Sequence, residues 1–171
     1  ILDVGCGGGK TIETLAGAAR AGRVFGVDYS AASVAVARTV NAGEIAAGRV
    51  DIQEASVSQL PFAAAPFDLV TAVETHYYWP RPIDDMREIA RVLKPGGSFV
   101  FSVPNLASFH NRIMLGFGFQ PSSIRTFGPH IRGFTYRQTR EYLEFGGFFT
   151  TDRVVGNAEI AFDHIAEVAK R

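Results

Sequence analysis

Residues 1–11 read Ile1-Leu2-Asp3-Val4-Gly5-Cys6-Gly7-Gly8-Gly9-Lys10-Thr11, and the rest of the chain is organised around them. Ile1, Leu2 and Val4 end an apolar strand, glycines at 5, 7 and 9 make a turn, and 11–19 reads as a helix. That order, strand then glycine turn then helix, is a nucleotide-binding turn. A backbone without Cβ atoms takes positive φ and lets a ligand lie against it, and the free N–H groups of the following helix are expected to face that ligand. Spacing separates the ligands that use such turns. A dinucleotide turn, G-x-G-x-x-G, needs glycine at position 10, where the chain has Lys10. A phosphate loop, G-x-x-x-x-G-K-S/T, needs glycine at position 4, where it has Val4.

A length of 171 residues points to a single domain over 1–171 with a real core, and 47% hydrophobic content with 14 Phe fits a globular α/β protein. Lys plus Arg and Asp plus Glu are both 17, so no broad pull toward nucleic acid or an acidic membrane is expected. Cys6 is the single cysteine, which excludes an internal disulfide and a multi-cysteine cage; no metal is expected, and Cys6 reads as a small residue that fits its turn. No signal peptide precedes Ile1 and no apolar run reaches the ~18 residues of a membrane span, so a soluble cytoplasmic protein with no membrane partner is expected. Beginning inside its first strand without Met, the chain reads as truncated at the N-terminus.

The apolar run 23–28 closes on Asp28, about twenty residues after the turn, where a carboxylate in a doubly wound sheet accepts hydrogen bonds from ribose hydroxyls. Tyr29 offers a flat wall for an adenine, and Ser30 opens a helix over 30–47 with Val34, Val36, Ala37 and Val40 on its inner side. Further strands are expected at 49–54, 66–73 and 98–103. A helix over 81–93 carries Met86, Ile89, Ala90 and Leu93 at i, i+3, i+4 and i+7. Ligands of open α/β sheets lie beyond the carboxyl ends of strands, which is where Glu74-Thr75-His76-Tyr77-Tyr78-Trp79-Pro80 falls. Glu74 is therefore assigned to the cofactor, and Tyr77, Tyr78 and Trp79 to a substrate pocket. An aromatic triplet in that position is hard to explain as core. Residues 105–118 have helical apolar spacing with Arg112 on it, and 119–132 are rich in turn formers and hold His130 and Arg132. A helix at 135–145, a strand at 148–155 and a helix at 157–170 complete the chain.

Four of these stretches, in the right order, resemble the class I S-adenosylmethionine (SAM) methyltransferases of the methyltransferase domain 11/25 kind. They are Asp3 with its glycine turn, the Gly26-Val27-Asp28-Tyr29-Ser30 strand end, Leu60-Pro61-Phe62 with Phe67-Asp68, and Arg91-Val92-Leu93-Lys94-Pro95-Gly96-Gly97, together covering about the first 105 residues. The resemblance implies a Rossmann-like doubly wound, mostly parallel sheet with helices on both faces. The family's antiparallel strand 7 is not found, and an insertion at about 105–134 is expected to shape the acceptor pocket. It implies SAM as cofactor and S-adenosylhomocysteine as product. Asp3 would stand near the cationic methionine moiety, Gly5, Cys6 and Gly7 beneath it, Asp28 on the ribose and Tyr29 at the adenine. Many members carry aspartate four residues before the leucine of Leu-Pro-Phe; this chain has Ser56, a hydroxyl without the charge, and the Val57 N–H is a second base contact. The 94–97 stretch is structural.

The expected reaction is in-line transfer of methyl to a small-molecule acceptor, with Tyr77, Tyr78, Trp79, Arg112 and Arg132 in its pocket. His76 or His130 would serve as base if the acceptor is a hydroxyl. No nucleic-acid partner is expected. Two other readings stand beside it. One is a nucleotide-linked oxidoreductase, disfavoured by Lys10; the other is a SAM-binding module without catalysis.

Overall fold

In a computed structural model that describes residues 1–19, 22–120 and 134–148, five apolar runs form one sheet. They are β1 (Leu2–Val4), β2 (Val24–Asp28), β3 (Val50–Glu54), β4 (Phe67–Val73) and β5 (Leu93–Ser102). The order is β3-β2-β1-β4-β5 and every neighbouring pair is parallel. Parallel neighbours need crossovers, and the helices α1 (Lys10–Ala18), α2 (Ala31–Val40), α3 (Ala42–Ala46) and α4 (Pro82–Val92) supply them. The chain steps outward from β1 to β3, then returns to the other side of β1 for β4. This reversal opens a crevice at the carboxyl ends of β1 and β4.

Period-two alternation sends successive strand residues to opposite faces, so there are two cores. Leu2, Val4, Val27, Val70 and Ala72 pack with Met86, Ile89 and Val92 of α4. Val24, Val50, Ile52 and Leu69 pack with Ile12, Leu15, Val34 and Ala37 of α1 and α2. Met86 and Ile89 are fully enclosed, and burial of each is worth about 1.5–3 kcal/mol. The helix starts follow their sequence signals. Ser30 Oγ accepts from Ser33 N at 3.3 Å, Pro82 opens α4, and Thr135 with Gln138 forms a capping box for α6 (Tyr136–Phe145).

Several boundaries differ from the sequence reading. The helix expected over 30–47 is two helices, divided at Asn41, whose buried side-chain N–H groups donate to Gly9 O at 3.0 Å and Ala37 O at 2.9 Å. That inward amide fixes the break between them, and Val36 and Val40, expected on the inner side, are exposed. Leu93 does not end α4; it begins β5, paired with Phe67. Within 105–118 only α5 (Phe109–Gly116) is helical, with Ser108 Oγ accepting from Asn111 N. The strand at 148–155 beyond Phe148 and the helix at 157–170 lie outside the described residues. Among the described residues no helix is long and apolar enough to cross a membrane.

Candidate functional site

The glycine turn leaves β1 at the mouth of the crevice. Gly5 has φ +74° and Gly7 has φ +51°, both in the left-handed region that a side chain makes costly. Their surroundings differ. A Cβ on Gly5 would overlap Thr75 Oγ1, so β1 and β4 approach too closely for any other residue, whereas a Cβ on Gly7 would meet nothing within 4 Å. The turn therefore presents bare backbone to an open space at Gly7.

The amides of this turn are already engaged within the fold. Gly5 N and Cys6 N both donate to Val27 O, at 2.8 and 3.0 Å, and Gly9 N donates to Cys6 O at 2.9 Å. Gly7 N donates to Asp28 Oδ2 at 2.9 Å. A phosphate-binding loop aims its N–H groups at the ligand. Here β2 holds those of Gly5, Cys6 and Gly7, so the turn offers close approach and little attraction for an anion.

Two acids flank it. Asp28, at the end of β2, accepts Gly7 N on one oxygen and Ser30 N on the other, each at 2.9 Å. Ser30, not Asp28, caps α2. Asp28 is thus a brace for the turn, and since a carboxylate offers about four acceptor sites, each oxygen retains one. Asp3 lies opposite Thr71 in the β1–β4 register and accepts its hydroxyl on Oδ1 at 2.6 Å. Asp3 Oδ2 is buried with no hydrogen-bond partner among the described residues. Burial pushes the Asp3 carboxyl from 3.8 to about 7, the Thr71 hydrogen bond opposing and the Asp28 charge adding to the rise. A cation placed beside it restores its charge. Burial, then the charges of Asp3 and Asp28, push the Cys6 thiol up to about 12, which keeps it neutral and inert. An unpaired buried carboxylate next to an open, Cβ-free turn fits a cationic ligand that carries no phosphate.

At the end of β4, Glu74 has φ +50°, an uncommon conformation for a residue with a side chain, and its N–H donates to Ser102 O at 3.1 Å. Such strain persists only where surrounding contacts impose it, and it turns the chain sharply into a 3-10 turn, His76–Tyr78. The aromatic run is not presented to the crevice as a whole. Trp79 is 6% exposed and belongs to the core with Met86 and Ile89, so its assignment to the substrate pocket is corrected: β4 ends on the α4 face and the indole fills that core. His76 is 2% exposed, with ring centroids 4.1 Å from Tyr77, 5.3 Å from Phe101 and 5.0 Å from Phe134. This is a packing environment with almost no surface for an acceptor. Tyr77 is buried too, its hydroxyl pushed up first by burial and then by the charges of Glu74 and Tyr78. Tyr78 is 52% exposed and, of the triplet, is the residue open to a ligand.

On the far side of Asp28, Tyr29 is exposed, and Ala55 N donates to Asp28 O at 2.9 Å. This bond holds the end of β3 beside β2 and brings the following turn to the same edge. Ser56 is exposed there, its Oγ accepting from Ser58 N at 3.2 Å, and the Val57 side chain is buried in the core. Arg112 is exposed on α5. His130 and Arg132 lie outside the described residues. Thr71 and Thr75 were not singled out from sequence, since both matter only through the adjacency of β1 and β4.

A family model described as a methyltransferase domain matches residues 2–101. A probable S-adenosylmethionine-dependent methyltransferase of Mycolicibacterium smegmatis is 32% identical over 154 residues, which cover 89% of this chain and 52% of that protein. A ubiquinone biosynthesis O-methyltransferase of Alkalilimnicola ehrlichii is 40% identical over 106 residues, covering 61% of this chain and 41% of that protein. The crystal structure of the cyclase SpnF is similar with a TM-score of 0.67 and 28% identity, over 85% of this chain and 50% of that one. The chain spans about half the length, or less, of the curated relatives it matches.

Proposed function

Because this chain belongs to the class I S-adenosylmethionine-dependent methyltransferase family, we propose that, as one domain, it transfers a methyl group from SAM to a small-molecule acceptor and releases S-adenosylhomocysteine. The observation that carries this reading is the 5–7 turn, whose amides are satisfied by β2 while an unpaired carboxylate lies buried beside it. When bound, SAM supplies an electrophilic methyl carbon on a sulfonium. Asp3 balances the cationic methionine end, and Gly5, Cys6 and Gly7 let it lie against bare backbone. Asp28 holds the turn with one lone pair on each oxygen and offers the others to the ribose hydroxyls. Tyr29 covers the adenine, with Ser56 Oγ and the Val57 N–H at its polar edge. Glu74 stands on the methionine side.

The chain's remaining work is to orient the acceptor and exclude water. Exposed Tyr78, with Arg112 and Arg132 of the 105–134 insertion, supplies the acceptor side. The relative named an O-methyltransferase favours a hydroxyl acceptor, and zero formal net charge favours a small molecule over nucleic acid. With His76 enclosed by aromatic rings, His130 is the base candidate that remains.

Isothermal titration with SAM and with NAD tests the cofactor: one-to-one binding of SAM alone is expected, and binding of NAD without SAM refutes the reading. A second reading, SAM binding without methyl transfer, is favoured by the likeness to a cyclase. Radiolabelled SAM with phenolic and amine acceptors separates the two; tight binding without label transfer supports the second.

A further inference from the structure

Between β3 and β4 the chain passes through 55–66, the segment that carries Ser56 and Val57. Val57 and Leu60 anchor it in the core. Beyond Val57, several of its polar atoms are held by one side of α4. Asp85, fully buried, accepts Ser58 Oγ on one oxygen at 2.7 Å and Arg81 N on the other at 2.9 Å. Glu88 Oε1 accepts Leu60 N at 2.8 Å. Arg91 donates to Phe62 O at 2.9 Å and to Leu60 O at 3.2 Å, while its guanidinium pairs with Glu88 at 2.7 Å. The Arg91 carbonyl also accepts Ala65 N at 2.9 Å. Residues 85, 88 and 91 recur at three-residue spacing, which puts them on one side of the helix. That side is therefore committed to residues 58, 60, 62 and 65 of a single loop.

Core burial of Val57 and Leu60 fixes the depth of this segment. It does not fix the rotation of the peptide planes between them, because apolar packing is non-directional and hydrogen bonds are directional. We infer that Asp85, Glu88 and Arg91 are positioning residues for base recognition. They hold the 56–62 turn so that the Val57 N–H points at the ring-nitrogen acceptor of an adenine. This inference rests on the cofactor placement proposed above. Adenine offers an acceptor at N1 and a donor at its amino group, whereas hypoxanthine reverses both. A fixed N–H rejects hypoxanthine; a loosened turn can rotate to suit either base, so its preference disappears. The clamp thus controls which base is accepted while touching none of it.

The test uses the full chain as wild type, R91A, E88A and R91K. Affinities for S-adenosylhomocysteine and S-inosylhomocysteine are measured by isothermal titration, with thermal melting alongside. Wild type is expected to prefer the adenosyl compound by tenfold or more. R91A and E88A should weaken adenosyl binding about tenfold and leave inosyl binding nearly unchanged, so that the ratio falls toward one. R91K keeps the charge without the planar fork that reaches two carbonyls and Glu88 together, and should fall between. If R91A and E88A do not fold, R91K decides by the same ratio. A ratio held at the wild-type value in the folded variants, whatever the change in melting temperature, makes the clamp structural only and overturns the inference. A wild type that binds both compounds equally also overturns it while leaving the cofactor reading intact. If wild type binds neither, the cofactor reading fails and the inference falls with it.

Discussion

Replacing Asp3 with asparagine should make the ligand-free protein less stable in acid and more stable above about pH 7, and should weaken cofactor binding. Folded Asp3 keeps its proton to about 7, whereas the unfolded chain releases it near 3.8. Between those values the folded state binds more protons. The contribution is therefore fully present below 3.8 and is lost as pH rises to about 7. A rise of about three units at about 1.4 kcal/mol each amounts to about 4 kcal/mol, and full burial leaves no solvent screening to reduce it. Asp3→Asn does not titrate. Its amide oxygen can still accept the Thr71 hydroxyl, while its NH₂ takes the place of the unpaired Oδ2 and costs about 1–3 kcal/mol at every pH.

The stability of the variant relative to wild type should therefore improve by about 4 kcal/mol from pH 4 to pH 8, changing sign on the way. Urea unfolding of both proteins at pH 4, 5.5, 7 and 8, without ligand, measures this, since every other titrating group is common to the pair. SAM affinity at pH 8 should fall tenfold or more. Parallel stability curves for the two proteins would refute the placement of a high-pKa carboxyl at the end of β1. An unchanged SAM affinity would separate that carboxyl from the cofactor.

Two further comparisons follow from the same geometry. Gly5→Ala drives its Cβ into Thr75 and should cost about 2 kcal/mol or more, seen as a lower urea midpoint, while Gly7→Ala pays only the left-handed strain of about 1–2 kcal/mol but should lose SAM affinity disproportionately by titration. Trp79→Ala should cost about 3–5 kcal/mol as a core truncation, whereas Tyr78→Ala should change stability by less than about 0.5 kcal/mol and raise the acceptor KM; equal stability losses in the two would contradict the burial of one ring and exposure of the other.

What could be read from the residues was local. The Asp3 turn and the acid closing β2 each declare themselves within a few positions, and they place the crevice; the proline and glycines at 95–97, read as a turn ahead of a strand, lie within β5 as a register shift against β4. The rest depends on which strands become neighbours. Thr71 bonds Asp3 because β4 pairs with β1, and no spacing between residues 3 and 71 announces that. Trp79 and His76 stand at a strand's carboxyl end, where function is expected. The strained backbone at Glu74 then turns the chain, and His76, Tyr77 and Trp79 go inward. Asn41 divides the helix expected over 30–47 because its amide reaches Gly9 O, 32 positions away, a contact no local pattern announces. No local pattern announces the contacts of Glu88 and Arg91, because their partners in the loop are backbone atoms about 30 positions away.

The internally satisfied glycine bend has a consequence in a cell, where ATP shares the adenosine half of SAM and is far more abundant. A triphosphate draws its affinity from backbone donors and nearby cations. At this bend the Gly5, Cys6 and Gly7 donors already serve β2, and Asp3 and Asp28 flank it. The same hydrogen bonds that shape the bend leave a triphosphate few donors there, so ATP is expected to compete poorly with SAM, which a displacement titration measures.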